Sequence, residues 1–246
     1  MEVSDNLKKS YSNQYDLSLV EWRNMGAKYK AQNIIEISKI IKVNTVLEVG
    51  AGEGSILYWL SKNKFSENLY GIEISESGVE IIKSKNIENL KQVLLFDGYR
   101  IPYQDNQFDL VICSHVMEHV EHERVLLREI KRVSKYQIFE VPIDFSFYVD
   151  KKIEHFLSFG HISIYTPSLF RFLLKSENFN VLADKCCLYN NEVFRYMYKG
   201  NKWNYIKIIL KKMVLSLFPY LMGIKPNSYI VLTSKEEDKE LSIFNK

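Results

Sequence analysis

Four of the five histidines fall into two short stretches. His115 and His119 stand four residues apart in "SHVMEHV", and His155 and His161 stand in "KKIEHFLSFGHISIY". An imidazole titrates close to neutral pH, so at working pH it can take a proton from a reacting hydroxyl. His161 and His119 are the candidates for such a base. If residues 115–119 are helical, His115 and His119 share a face. A zinc site built from His115, Glu118, His119 and His122 has loose spacing and no cysteine beside it, so no metal is expected.

A second group of residues suits ligand binding. "VLEVGAGEGSILYWL" runs from an apolar strand pattern into Gly50, Gly52 and Gly54, and Ser55 opens an amphipathic stretch. The dinucleotide fingerprint is G-x-G-x-x-G. Here the spacing is G-x-G-x-G, and Ser55 stands where the third glycine would be. That looser turn suits a ligand end without phosphate, such as the amino-acid end of S-adenosylmethionine. "YGIEIS" places Glu73 at a strand end, where an acid accepts hydrogen bonds from ribose hydroxyls. "LLFDGYRIPY" places Asp97 at the next strand end, an acceptor suited to an adenine amino group.

These groups need a scaffold that gathers strand ends. Strand-like runs fall at 45–49, 68–74, 92–97, 108–114 and 136–142, with helix-like runs between several of them. One of these, "ERVLLREIKRV", repeats apolar residues at helical spacing, at Val125, Leu126, Ile130 and Val133. Short β-branched strands alternating with helices predict a parallel α/β sheet built from right-handed crossovers. Ligands of such sheets sit at the carboxyl ends of the strands. Beyond residue 165, "TPSLFRFLLKSENF" reads as a helix with Thr166 as N-cap and Pro167 at its first position. "VLADKCCLYN" and "SYIVLTSK" read as late strands.

Four ordered motifs, "VLEVGAGEG", "GIEIS", "FDG…IPYQDNQFDLV" and "SHVMEHV", resemble the class I S-adenosylmethionine-dependent methyltransferases. Within these the chain is similar to the broad group of ubiquinone-type O-methyltransferases and glycan-modifying methyltransferases. The resemblance spans roughly residues 40–180 and the terminal strand near 228–233. It implies a Rossmann-like seven-stranded, mostly parallel sheet with helices on both faces and a substrate cap. Carried onto this sequence, Gly50, Ala51 and Gly52 line the methionine part of S-adenosyl-L-methionine, and Glu73 binds the ribose. Ile74 packs on the adenine, Asp97 and Gly98 flank it, and Ser114 and His115 lie beside the cofactor. Glu48 holds either the glycine loop or the cofactor amino group, or serves as a structural acid on backbone amides. Lys30, in "AKYKAQNI", stands where a basic residue of the group reaches the cofactor carboxylate; the other reading is a solvated helix lysine.

The resemblance implies methyl transfer, with a hydroxyl of a small molecule or glycan precursor as the favoured acceptor. A cofactor-binding regulator without turnover, or a methyltransferase acting on protein or RNA, is the alternative. Phe145, Phe147, Tyr148, Phe156, Phe159 and Tyr165 either line the acceptor pocket or form the core of its cap. The implied organisation is an N-terminal helical cap over 1–44, a methyltransferase domain over 45–233 and a polar tail over 234–246. The domain carries an inserted cap at 143–165 and a basic apolar insertion at 191–224.

Composition narrows the setting. The 246 residues are 46% apolar and 26% charged, which suits a folded chain rather than a disordered one. A formal charge of +3 is too small to argue for nucleic acid, and none is expected as a partner. Cys113, Cys186 and Cys187 are few, odd in number and without metal spacing, which suits a reduced, cytoplasmic location. The N-terminal residues hold no signal-peptide pattern. From Arg195 to Lys225 there are seven basic residues and no acid. Residues 203–222 therefore read as a basic amphipathic helix resting peripherally on an anionic membrane, with packing on the sheet or on a partner subunit as the alternative.

Overall fold

The strand–helix alternation folds as its periodicities predict. The computed structural model describes residues 20–144, 153–154, 156, 160–197, 202–218 and 226–236. α1 (Val20–Ile37) leads through a 3-10 turn into β1 (Thr45–Val49), α2 (Ser55–Lys62), β2 (Asn68–Glu73), α3 (Glu76–Ser84) and β3 (Leu90–Leu95). β4 (Phe108–Ser114), α4 (Glu123–Val133) and β5 (Ser134–Pro142) follow. Then come α5 (Pro167–Ser176), β6 (Phe179–Cys187), α6 (Asn191–Met197), α7 (Lys202–Leu217) and β7 (Ser228–Lys235). The seven strands form one sheet in the order β3-β2-β1-β4-β5-β7-β6. All pairs are parallel except those made by β7, which runs antiparallel to both β5 and β6.

Strand side chains alternate between faces. Leu47, Val49, Val111, Cys113, Phe139 and Val141 pack with α4 and α5 on one face. Val46, Leu110, Ile112 and Ile138 pack with α1, α2 and α3 on the other. Parity then places Glu48, Glu73, Ser114 and Glu140 at the carboxyl end of the α1 face. α1 is built into that layer through Ala27, Ala31 and Ile34. The strand order reverses between β1 and β4, and in sheets of this kind ligands bind at the carboxyl ends of the strands beside such a switch point.

Several boundaries differ from the sequence expectation. β3 spans Leu90–Leu95 rather than 92–97, because Asp97 turns the chain: its Oδ1 accepts from the amides of Tyr99 and Arg100 at 2.8 and 2.6 Å. β2 stops at Glu73 because Ser75 caps α3, accepting from Gly78 N. β5 begins at Ser134 directly after α4, its hydroxyl donating to Ile130 O at 2.7 Å. β7 extends through Lys235, so the polar tail expected from 234 begins later. All three cysteines are free thiols.

Gly50, Gly52 and Gly54 all lie in the left-handed region, at φ 67°, 58° and 74°. This requirement explains the alternate spacing of the motif. A Cβ on Gly54 would stand 2.8 Å from Ile82 Cγ1 on α3. Gly54→Ala combines left-handed strain with that overlap and should cost about 1–3 kcal/mol. Urea unfolding of the variant against the parent measures it, and an unchanged midpoint would contradict the stated geometry.

Candidate active site

The glycine loop leaves β1 with Gly50 N and Ala51 N both donating to Ile72 O, at 2.9 and 3.0 Å. A Cβ on Gly50 would meet Val116 Cγ2 at 2.4 Å, so β1's loop and β4's loop approach as closely as glycine allows. Glu73 ties the glycine loop to the end of β2. Its Oε2 accepts from Gly52 N at 2.8 Å and its Oε1 from Ser75 N at 3.1 Å. In this state Glu73 visibly holds the loop, and a ribose would share the remaining lone pairs of the same carboxylate.

Below the loop sit buried charges. Glu48 is 2% exposed. Burial, with the nearby charge of Glu73, pushes its carboxyl up to about 8, against the opposing pull of Lys30 and the Leu57 amide. Burial likewise lowers the Lys30 ammonium, which feels the acids Glu140, Glu118 and Glu48. Lys30 is half-buried on α1, on the side of these acids.

The end of β4 carries the second half of the site. Ser114 Oγ donates to Glu140 Oε2 at 3.0 Å, and Ser228 Oγ donates to Glu140 Oε1 at 2.8 Å. His115 lies at φ 56°, unusual for a residue with a side chain, and its amide donates to Glu140 O at 2.8 Å. Left-handed backbone of this kind concentrates at functional sites. Residues 115–119 are not an α-helix; only Met117–His119 forms a 3-10 turn. His115 and His119 therefore do not meet through helical spacing. They meet through Glu118, whose Oε1 lies 3.3 Å from His115 Nδ1 and 3.8 Å from His119 Nε2.

A return strap completes the group. Ile162 N and Ser163 N both donate to Glu118 O, at 2.9 and 3.1 Å. This brings His161 against His119, with ring centroids 5.0 Å apart. His119 Nδ1 contacts Gly160 O at 2.9 Å, and His161 Nδ1 contacts Asp144 Oδ2 at 2.6 Å. A carbonyl can only accept, so His119 Nδ1 carries its proton towards Gly160. Burial lowers the His119 pKa despite Glu118, which keeps that ring neutral at physiological pH.

Among the expected residues, Gly50 meets Val116 of the loop after β4, Glu73 holds Gly52, Lys30 lies near Glu48, Glu118 and Glu140, Ser114 and His115 both bond Glu140, and His119 meets His161. Ile74 is half-buried against the core, and Asp97 and Gly98 form the turn beyond β3. His122 stands apart as the N-cap residue of α4, stacked near Tyr99. Tyr165 is core, packed on Phe170 with its hydroxyl donating to Met117 O. His155, Phe145, Phe147, Tyr148 and Phe159 lie outside the described residues. Glu140 and Asp144 were not singled out from sequence. Glu140 carries a signal, an acid on the inward parity of a core strand, whereas Asp144 has none.

A methyltransferase domain family model matches residues 47–137. YrhH of Bacillus subtilis (strain 168), assigned as a methyltransferase, is 30% identical over 135 residues, covering 52% of this chain and 71% of that one. The chain belongs to the class I S-adenosylmethionine-dependent methyltransferases. Ajmaline N-methyltransferase of Rauvolfia serpentina is 31% identical over 97 residues, 38% of this chain and 33% of that one. A chloroplastic rice protein assigned as a tocopherol O-methyltransferase is 30% identical over 97 residues, 38% of this chain and 26% of its own. The methyltransferase thus spans a third or less of these two plant enzymes. Among solved structures, a complex of the Haloferax volcanii Trm112 activator and a methyltransferase aligns with TM-score 0.68 at 13% identity, over 96% of this chain and 100% of that one. A S-adenosylmethionine-dependent methyltransferase of Archaeoglobus fulgidus aligns with TM-score 0.60 at 20% identity, over 91% and 100%.

The site fits the cofactor of that family. S-adenosylmethionine supplies the electrophilic methyl group and the leaving thioether. The positive-φ glycines Gly50, Gly52 and Gly54 turn the chain tightly at the carboxyl end of β1, where the cofactor of such sheets sits. Lys30 and the protonated carboxyl of Glu48 offer polar groups where the amino-acid end of the cofactor would lie. Among the described residues no helix is long and apolar enough to cross a membrane.

The raised Glu48 pKa has a consequence for stability. The neutral carboxyl is favoured on folding, so its contribution is fully present below the unfolded carboxyl pKa and is lost as pH rises through about 8. Glu48→Gln should remove that loss. Melting of parent and variant from pH 5 to 9 should show the variant gaining relative stability as pH rises. A constant difference across the range would contradict the assignment.

Proposed function

We propose that this methyltransferase transfers the methyl group to a hydroxyl oxygen of a small molecule or glycan precursor presented at an anionic membrane surface. The observation that carries the oxygen assignment is the convergence of Glu118, His119, His161 and Asp144 on one side of the cofactor cleft. A sulfonium methyl needs an acceptor held in line, and a hydroxyl acceptor must also shed a proton. Asp144 orients His161 through Nδ1, leaving Nε2 as the nitrogen that receives that proton. Lys30 takes the cofactor carboxylate, Glu73 the ribose, and Asp97 with Gly98 the adenine edge. Ser114 and His115 border the reacting methyl.

His161→Ala should lower turnover by about 10²–10⁴ with cofactor affinity unchanged. The measurement is labelled methyl transfer into a metabolite extract, with calorimetry for S-adenosylmethionine. Label recovered on nitrogen rather than oxygen would overturn the acceptor assignment.

The membrane part of the reading rests on α7. Ile208 and Leu215, seven residues apart, are buried on one seam of the helix. Trp203, Ile206, Leu210, Met213, Val214 and Leu217 occupy the opposite face and are exposed, Trp203 by 75% and Leu217 by 66%. Lys212 lies on the packed side, bonded to Asn191 Oδ1 at 2.6 Å and 5.0 Å from the Phe194 ring. Lys212 therefore does not border the outward face, whereas Lys207 is exposed beside it. An outward apolar face in a segment of seven basic residues and no acid complements an anionic lipid surface. Each lysine near such a surface contributes ~1 kcal/mol. α7 packs on α6 and α6 on α1, which joins this face to the helix bearing Lys30. Pro219 to Lys225, the rest of the expected element, lies outside the described residues.

Vesicles containing phosphatidylserine should float the protein at low salt and release it at high salt, and Trp203→Ser with Leu210→Ser should abolish flotation. Protein that stays in solution with anionic and neutral vesicles alike contradicts the membrane reading.

A further inference from the structure

Glu118 presents a puzzle of charge. It is 1% exposed, and neither carboxylate oxygen makes a hydrogen bond of good geometry among the described residues. Burying a carboxylate in this way is costly unless a cation or a set of donors compensates it. His115 Nδ1, at 3.3 Å from Oε1, is close but lacks hydrogen-bond geometry.

The rings beside it have the arrangement of ligating imidazoles. Metal-bound histidines typically donate their other ring N–H to a carboxylate or a backbone carbonyl. His161 Nδ1 meets Asp144 Oδ2 at 2.6 Å, and His119 Nδ1 meets Gly160 O at 2.9 Å. Both rings thereby direct Nε2 as the ligating nitrogen. One ligand atom from each of Glu118, His119 and His161 lies within 4.8 Å of the others. Donor atoms about 2.0–2.2 Å from a shared cation stand roughly 3.3–4.4 Å apart, so small side-chain rotations close the site. The backbone already fixes the three together, because Ile162 N and Ser163 N are bonded to Glu118 O.

We propose that Glu118, His119 and His161 form a binding site for one first-row divalent cation at the acceptor side of the cleft. Two imidazoles and one carboxylate suit Zn²⁺, Co²⁺ or Mn²⁺ better than Mg²⁺ or Ca²⁺, which prefer all-oxygen shells. Three protein ligands leave a coordination position open, and an acceptor oxygen fits it. The inference deepens the oxygen-acceptor reading without depending on it, because cation binding is measured with no acceptor present. With the cation in place both imidazoles are ligands. His161 Nε2 is then a ligand and no longer the base; the cation would lower the pKa of the bound acceptor hydroxyl, whose proton would pass to solvent. The sequence expectation of no metal came from pairing His115, Glu118 and His119 with His122. The fold supplies His161 in place of His122.

The test uses the full chain stripped with a chelator. Titration with Co²⁺, followed by its visible d–d absorption, should show one bound ion per chain, and Zn²⁺ should displace it. His161→Ala should weaken Co²⁺ binding at least tenfold, and Asp144→Asn by about 10–100-fold through loss of the outer hydrogen bond. Circular dichroism on both variants confirms folding, and they avoid the risk of replacing the buried Glu118. Absence of a visible band in the folded parent, or Co²⁺ affinity equal in parent and both variants, overturns the site. Methyl label found on nitrogen would defeat the acceptor reading while leaving the cation titration intact.

Discussion

Several carboxylates end up buried at the carboxyl edge of one sheet face, and their mutual repulsion is the constraint around which the site is built. Glu48 and Glu140 point to the α1 side by strand parity, and Glu118 joins them from the turn after β4. Such charges survive burial only if they are neutralised, hydrogen-bonded or opposed by a cation. Each solution is present. Glu48 holds its proton up to about 8. Glu140 accepts from Ser114 and Ser228. Lys30 enters from α1 as the counter-charge, and its own ammonium is destabilised by the same burial.

That arrangement makes α1 more than a lid. Its Ala27, Ala31 and Ile34 fix the helix in the α1-side core, so Lys30 is held at a definite depth. α6 rests on α1 and α7 on α6, so the outward apolar face is mechanically continuous with the helix that bears Lys30. A surface that engages α7 would load the same packing that sets the charge balance in the cleft.

The two loops of the cleft contribute differently. The glycine loop is shaped by its backbone: three left-handed glycines and two amides on Ile72 O set its path after β1. The loop after β4 carries side chains: His115 precedes a 3-10 turn, Met117–His119, that holds Glu118 and His119. Val116, nearly touching Gly50, is the hinge at which the two surfaces meet. In the proposed reaction, cofactor recognition falls to one strand end and acceptor chemistry to its neighbour.

Alternating apolar runs in the sequence were enough to determine the parallel sheet, because period-2 and period-3.6 patterns report burial directly. The G-x-G-x-G spacing reported a tight left-handed turn after β1, and the cofactor class followed from the resemblance that this motif carries together with the other three. Tertiary structure alone decided the rest. His161 meets His119, and Asp144 meets His161, through a strap whose path is set by amides bonded to Glu118 O, and no local periodicity encodes that path. Likewise the apolar residues of α7 were legible as a helix, but which of them face outward was decided by the Ile208–Leu215 seam against α6. A helix apolar on two sides has no single preferred face until its neighbour covers one.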